Sequence, residues 1–365
     1  MGATYVYKLA PKTAFHFGLR GVGIEATATF CPADTLFSAL CLTLREWERD
    51  GSQALEAWLQ GFPTQDGDGP PPLRLSSAFP YAGEVLFFPK PMVPANLSAE
   101  LGRARAKTLK KIEFVSEGIL RAWLAQEDLG AELDDELLLH GGQVWVRREE
   151  LGKLDPFRDS QRSPRMWAVD TLPRVAVDRM TSRSAVYQAG VVRFKPGAGL
   201  FSLVEFLGDG DEAERKRLTT VFEVMGDGGL GGERSSGYGQ FELQGPQAFD
   251  GFEALGGELF LTLAPYHPTR SEVLAGVLDE GAAYGLLTRR GWVGSPEGLN
   301  LRRRLVRLLG EGSVAHHVGQ ASYGDLADVT PRDETGQEAL GHKVWRYGIA
   351  FPVPIARPAG REEGV

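Results

Sequence analysis

Cysteine is nearly absent, with Cys31 and Cys41 the only two in 365 residues. That excludes a disulfide framework and any zinc cluster built on cysteine, and both thiols are expected as small apolar packing residues. Histidine is scarce too, at six residues. His140, His267 and His342 have no catalytic partner near them in sequence, and His316-His317 lacks metal-ligand spacing. Neither Asp34 nor Asp178 reads as a metal ligand. No metal, cofactor or catalytic residue is therefore expected. No apolar run reaches membrane-spanning length, and the opening MGATYVYKLAPKTAF lacks a basic stretch followed by a long apolar one. The expectation is a cytoplasmic chain with no membrane contact.

An excess of positive charge is also missing: the net charge is -8, which argues against a free nucleic-acid binder. Distribution matters more than the sum. Eight basic residues stand against three acidic ones from Arg158 to Lys195, and six arginines against one glutamate from Leu286 to Arg307. Basic faces on an acidic body follow from this pattern. A further run, Arg103, Arg105, Lys107, Lys110 and Lys111, is expected on a solvated helix face.

What is abundant is glycine, and its densest stretch is GDGGLGGERSSGYGQF between Gly226 and Phe241. A side chain would obstruct close approach there, so the backbone can come near a ligand. Gly226, Gly228 and Gly231 satisfy the dinucleotide spacing G-x-G-x-x-G. That motif leaves a strand and opens a helix, whereas Leu218, Val221, Phe222 and Met225 predict a helix before this loop and Phe241 to Leu243 a strand after it. A phosphate loop fails as well, because Tyr238 and Gly239 stand where Lys and Ser or Thr are needed. Consecutive glycine N–H groups would suit a polyanion.

Tyr5 to Leu9 alternates like a strand, and Ala14 to Gly18 leads into a glycine-spaced loop. A helix follows, with Asp34 or Thr35 as its cap, an apolar face of Leu36, Phe37, Leu40, Cys41, Leu44 and Trp47, and its end at Asp50-Gly51. Gly61 to Pro72 reads as a polar, proline-rich loop and Leu97 to Leu139 as a helical insert. Arg174 to Val177 and Gly190 to Phe194 alternate around a polar stretch, which predicts a projecting hairpin. Gly245-Pro246 and Gly256-Gly257 bracket a break. Glu258 to Leu263 then opens a new strand, Ser271 can cap a helix through Leu278, and His342 to Phe351 alternates again. These patterns support an α+β assignment.

The runs His16-Phe17-Gly18, Phe30 to Leu40 and Gly229 to Phe241 resemble the RAMP superfamily of CRISPR-associated RNA-binding proteins. Pro173 to Arg179 and Trp345 to Phe351 narrow the resemblance to subunit four of the type III-A, or Csm, effector complexes. The resemblance implies two ferredoxin-like (RRM-like) domains, at 1–248 and 256–355, with a thumb hairpin at about 158–195, while the tail 356–365, with Pro358, Gly360 and Glu362-Glu363, is expected to be disordered by its composition. It implies a non-catalytic subunit that holds the repeat-derived 5′ tag of the CRISPR RNA. Such a subunit joins a Cas ten-type large subunit to the Csm backbone RAMP subunit and meets target RNA indirectly. The RNA-binding candidates are His16, Gly18, Arg174, Arg179, Thr181, Arg183, Gly229, Gly231, Gly232, Arg234, Ser235, Ser236, Gly237, Tyr238 and Gly239, with Met180 near the hairpin tip. The rival reading is a CRISPR-RNA processing endoribonuclease using His16 as general acid or base. A third is a structural adaptor that touches no RNA.

Overall fold

The computed structural model describes residues 2–18, 25–65, 69–159, 163–177, 184–208, 211–252, 256–293 and 301–356. Its spine is a nine-stranded sheet around β1 (Ala3–Pro11), whose buried Val6, Tyr7 and Leu9 face the core. Antiparallel to β1 run β10 (Ala198–Phe206) on one side and β11 (Phe241–Ala248) on the other. Beyond β10 come β3 (Phe79–Ala82), β4 (Val85–Pro89), β5 (Phe114–Ser116), β7 (Val144–Trp145) and β6 (Leu138–Leu139), with β2 (Leu73–Leu75) also on β10. All neighbours are antiparallel except β5 and β7.

Helices α1 (Ala33–Trp47) and α2 (Gly51–Leu59) connect β1 to β2, and α7 (Asp211–Gly228) connects β10 to β11. Their apolar stripes explain their position. Leu36, Phe37, Leu40 and Leu44 of α1 and Leu218, Val221, Phe222 and Met225 of α7 are buried at helical spacing. Phe222 stacks on Tyr7 of β1, with ring centroids 4.9 Å apart. Trp58 of α2 stacks on Phe37 and gives its indole N–H to Glu214 Oε1 at 2.6 Å. The insert carries α3 (Ala99–Ala104), α4 (Ala106–Lys111) and α5 (Glu117–Leu124), followed by α6 (Arg148–Leu151). The basic run 103–111 thus lies across two short helices, with Arg105 paired to Asp135.

β8 (Trp167–Val177) and β9 (Ser184–Phe194) form a separate two-stranded hairpin. Its base is pinned by Trp167, packed among Phe87, Phe114 and Phe194. Farther out, Val175 and Val186 are 59% and 70% exposed, so the hairpin runs beyond the core. The expected tip residues Asp178, Arg179, Met180, Thr181 and Arg183 lie outside the described residues.

After residue 256, β12 (Leu259–Thr262) sits between β15 (Val314–His316) and β18 (Pro352–Ile355). β13 (Leu286–Arg289) pairs with β14 (Val306–Leu309), and β16 (Leu326–Asp328) with β17 (Trp345–Tyr347). Leu261, Leu263, Val314, Tyr347 and Ile349 join the principal core of the N-terminal part. Tyr347 packs on Phe37 and accepts the Leu75 amide N–H at 2.8 Å.

Four local expectations need correction. The residue capping α1 is Pro32, which has no side chain to bond, and Asp34 sits wholly buried in the first turn. Arginines of the C-terminal part claim its carboxylate instead. Gly245-Pro246 is no break, because β11 passes through it, with a register shift against β1 between Val6 and Lys8. The short helix α8 (Arg270–Leu274) is capped by Thr269 in a capping box with Glu272, two residues ahead of Ser271. The stretch 342–351 is a strand only at β17, since Gly348 bonds to loop residues rather than to a ladder.

Candidate functional site

Residues 14–18 run between the glycine-rich loop and the hairpin. Phe15 exchanges both backbone hydrogen bonds with Val192 of β9, while the Ala14 carbonyl receives the Gly239 N–H at 2.8 Å. His16, 6% exposed, lies 2.6 Å through Nδ1 from the carbonyl of Gly190. A carbonyl only accepts, so Nδ1 carries a proton, and in the neutral ring Nε2 is the acceptor. Gly190 must be glycine at this crossing, because a Cβ there would sit 2.4 Å from the Glu25 carbonyl oxygen.

The glycine-rich loop follows α7 and wraps this segment. Gly229, Gly231, Gly237 and Gly239 have φ between +82° and +98°, where other residues are strained. A Cβ on Gly231 would lie 2.5 Å from the His16 carbonyl oxygen, one on Gly232 2.7 Å from the His16 ring, and one on Gly239 2.2 Å from the Leu230 carbonyl oxygen. The amides of Gly229, Gly232, Gly237 and Gly239 donate to Met225, His16, Arg234 and Ala14 carbonyls respectively. The expected row of free glycine amides is therefore not there. These glycines let the loop close against His16, and their four amides are spent inside the chain. Arg234, Ser235 and Ser236 form one exposed 3-10 turn.

The hairpin clasps the loop at two points. The Arg174 guanidinium lies 4.6 Å over the Tyr238 ring. Its directly paired cross-strand neighbour, Tyr187, donates its hydroxyl hydrogen to Glu233 Oε2 at 3.3 Å. Glu233 itself holds a left-handed backbone, φ 58°. Such strain at a non-glycine residue clusters at working sites.

A groove of about 450 Å³ opens beside His16. Its wall includes Gly18, Gly229, Gly231, Gly232 and Arg234, the Thr35 and Ser38 side of α1, and, from the C-terminal part, Arg289 and Glu311. The fold thus brings His16, Gly18, the glycine loop and Arg174 into one neighbourhood. Arg179, Thr181 and Arg183 fall outside the described residues. The sequence marks Arg289 only as part of an arginine run, open to RNA or to the large subunit, and gives no sign of Glu311, Tyr187 and Glu233, whose partners lie tens to hundreds of residues away.

The remaining histidines stand apart. His140 accepts the Met166 amide N–H through Nε2 and stacks on Trp167; burial pushes its pKa down to about 4. His267 meets Asp325 at 2.6 Å, a partner 58 residues away that its sequence neighbourhood does not show. Among the described residues no group of three His, Cys, Asp or Glu side chains could hold a metal, and no helix is long and apolar enough to cross a membrane.

The architecture is shared with chains of CRISPR interference assemblies. A chain of the Csm3–Csm4 subcomplex of a type III-A CRISPR-Cas interference complex matches with TM-score 0.66 and 17% identity, over 97% of this chain and all of that one. A chain of the Csm1–Csm4 cassette in complex with pppApA matches at 0.52 and 20%, over 98% and 100%. The CRISPR Csm4 C-terminal domain family matches residues 256–355. The CRISPR system Cms protein Csm4 of Mycobacterium tuberculosis H37Rv is 30% identical over 348 residues, 94% of each chain. That of Thermococcus onnurineus is 26% identical over 336 residues, 90% of this chain and 93% of its own. The chain belongs to the Csm4 family.

Proposed function

We propose that this chain is a non-catalytic, cytoplasmic RNA-binding subunit of a type III-A Csm interference complex. It holds the repeat-derived 5′ tag of the CRISPR RNA, assembles with a Csm1-type (Cas ten-type) large subunit and a Csm3-type backbone RAMP subunit, and meets target RNA only through the guide. Csm4 relatives solved in Csm3–Csm4 and Csm1–Csm4 assemblies support the partners. The order β11-β1-β10-β3, with helices in both crossovers, supports a ferredoxin-like domain at 1–248, with the hairpin as its thumb within 158–195. Residues 256–355 are read as the second such domain.

The observation that carries the proposal is the convergence of residues 16–18, the loop 229–239 and the hairpin on one groove. Arg234, Ser235 and Ser236 offer donors to phosphate and sugar oxygens. Tyr238 and Arg174 offer a stacked surface for an unpaired base, His16 Nε2 an acceptor for a ribose hydroxyl or base amino group, and Gly18 open backbone beside it. Arg179, Thr181 and Arg183 extend the contact along the hairpin. Among the described residues His16 hydrogen-bonds only to backbone groups, which suits holding RNA better than cutting it.

The test is a titration of labelled single-stranded repeat RNA with the full chain. Gly237 has open space around it and a left-handed φ that aspartate tolerates, so Gly237→Asp adds negative charge without a clash. Affinity is expected to fall about tenfold, since like charge beside phosphate repels at roughly the 1.4 kcal/mol scale. Undiminished binding sinks the proposal, and RNA cleavage that disappears in His16→Ala replaces it with the nuclease reading.

A further inference from the structure

The groove's C-terminal wall holds an arginine that the protein leaves short of partners. Asp34, wholly buried, accepts a hydrogen bond from Arg346 Nη1 at 2.5 Å on Oδ2. Arg289 Nε is 3.4 Å from the same oxygen, without hydrogen-bond geometry. Among the described residues the Arg289 guanidinium makes no hydrogen bond, although its side chain is only 21% exposed. Buried donors are nearly always matched, and a guanidinium carries five.

Local charge points the same way. Arg303, near Asp34 and Arg346, has no ion pair among the described residues, and burial with Arg346 beside it lowers its pKa to about 10. Glu311, the carboxyl on the groove wall, accepts the Ser77 hydroxyl at 2.6 Å; burial raises its pKa, while the Ser77 bond and the charge of Arg289 act the other way. The groove's other polar lining is His16, Thr35, Ser38 and Arg234, so Glu311 is the sole carboxyl against two arginines there.

We propose that Arg289 is an anion-binding residue of this groove, positioned by Asp34 and Arg346, and that it takes a phosphodiester oxygen of single-stranded RNA lying between the glycine-rich loop and α1. This rests on the RNA-binding reading above and adds the C-terminal part to the site. Asp34 and Arg346 act as positioning residues: the ion pair with Asp34 holds Arg289 while its guanidinium keeps hydrogen-bond donors for a ligand.

The experiment is fluorescence anisotropy with labelled single-stranded repeat RNA and the full chain across a salt series, comparing wild type, Arg289→Ala, Arg289→Lys and, as an exposed-charge control, Arg290→Ala. Arg289→Ala should weaken binding about tenfold at low salt. It should also flatten the slope of log K against log[salt] by about 0.7, the value for one phosphate contact on a single strand. Arg289→Lys should keep most of that slope, and thermal melting of each variant separates lost contact from lost fold. Wild-type binding with Arg289→Ala matching it in affinity and slope overturns this assignment alone. A wild type that binds no RNA overturns the functional reading with it.

Discussion

At the residue scale, glycine serves shape more than hydrogen bonding. Gly231 and Gly239 leave no room for a Cβ beside carbonyl oxygens, so Gly231→Asp should disturb the loop itself and lower the melting temperature, where Gly237→Asp should not. Tyr238 presents a ring already faced by Arg174. If the ring carries a base, Tyr238→Ala should cost about 1 to 3 kcal/mol of RNA affinity, measured by the same titration. His140 gives a pH prediction. Its folded pKa, about 4, lies below the ordinary value of 6.5 because burial disfavours the cation. Between those values the unfolded chain binds the extra proton and the folded chain does not, so stability is full above about 6.5 and falls as pH drops toward 4. His140→Asn, which tolerates the left-handed φ of 50°, should flatten that part of a melting-temperature profile.

At the element scale, the hairpin and the loop are one device joined by Arg174–Tyr238 and Tyr187–Glu233. Neither contact is large: an exposed cation–π pair is worth about 0.5 to 1 kcal/mol. A double-mutant cycle on Arg174→Ala and Tyr238→Ala, read from thermal unfolding, should return a coupling of that order, and a value near zero would mean that the clasp does not form. The elements themselves were legible in the sequence where periodicity was strong. The apolar faces of α1 and α7, the alternation of β1 and the paired runs of the hairpin all follow from side chains that must share a face. Caps and interruptions read less well. Asp34 has the chemistry of a cap, but a carboxylate goes to the strongest donor in reach, and that donor is an arginine more than 300 residues away.

At the scale of the whole molecule, the N- and C-terminal parts are joined by a shared core and by one buried charge centre. Removing one member of a buried ion pair leaves the other without compensation, at a cost of about 3 to 5 kcal/mol. Asp34→Ala should therefore lower the melting temperature well beyond the effect of a surface substitution, with Arg346 and Arg289 left without their shared carboxylate. A small change in calorimetry would mean that this centre does little to hold the parts together.

By itself the sequence determined the family, through runs such as His16-Phe17-Gly18 and the glycine-rich stretch, and the main elements, because local periodicity encodes which face is buried. It also marked where the candidate groove's N-terminal components lie along the chain. Only the tertiary structure decided which groups face the groove. It engaged four glycine amides inside the chain, turned Asp34 from a cap into an anchor, and set Arg289 and Glu311 beside the loop. The reason is physical: hydrogen bonds and ion pairs are chosen by proximity in space, and no local pattern records a partner that the chain meets only after it has folded.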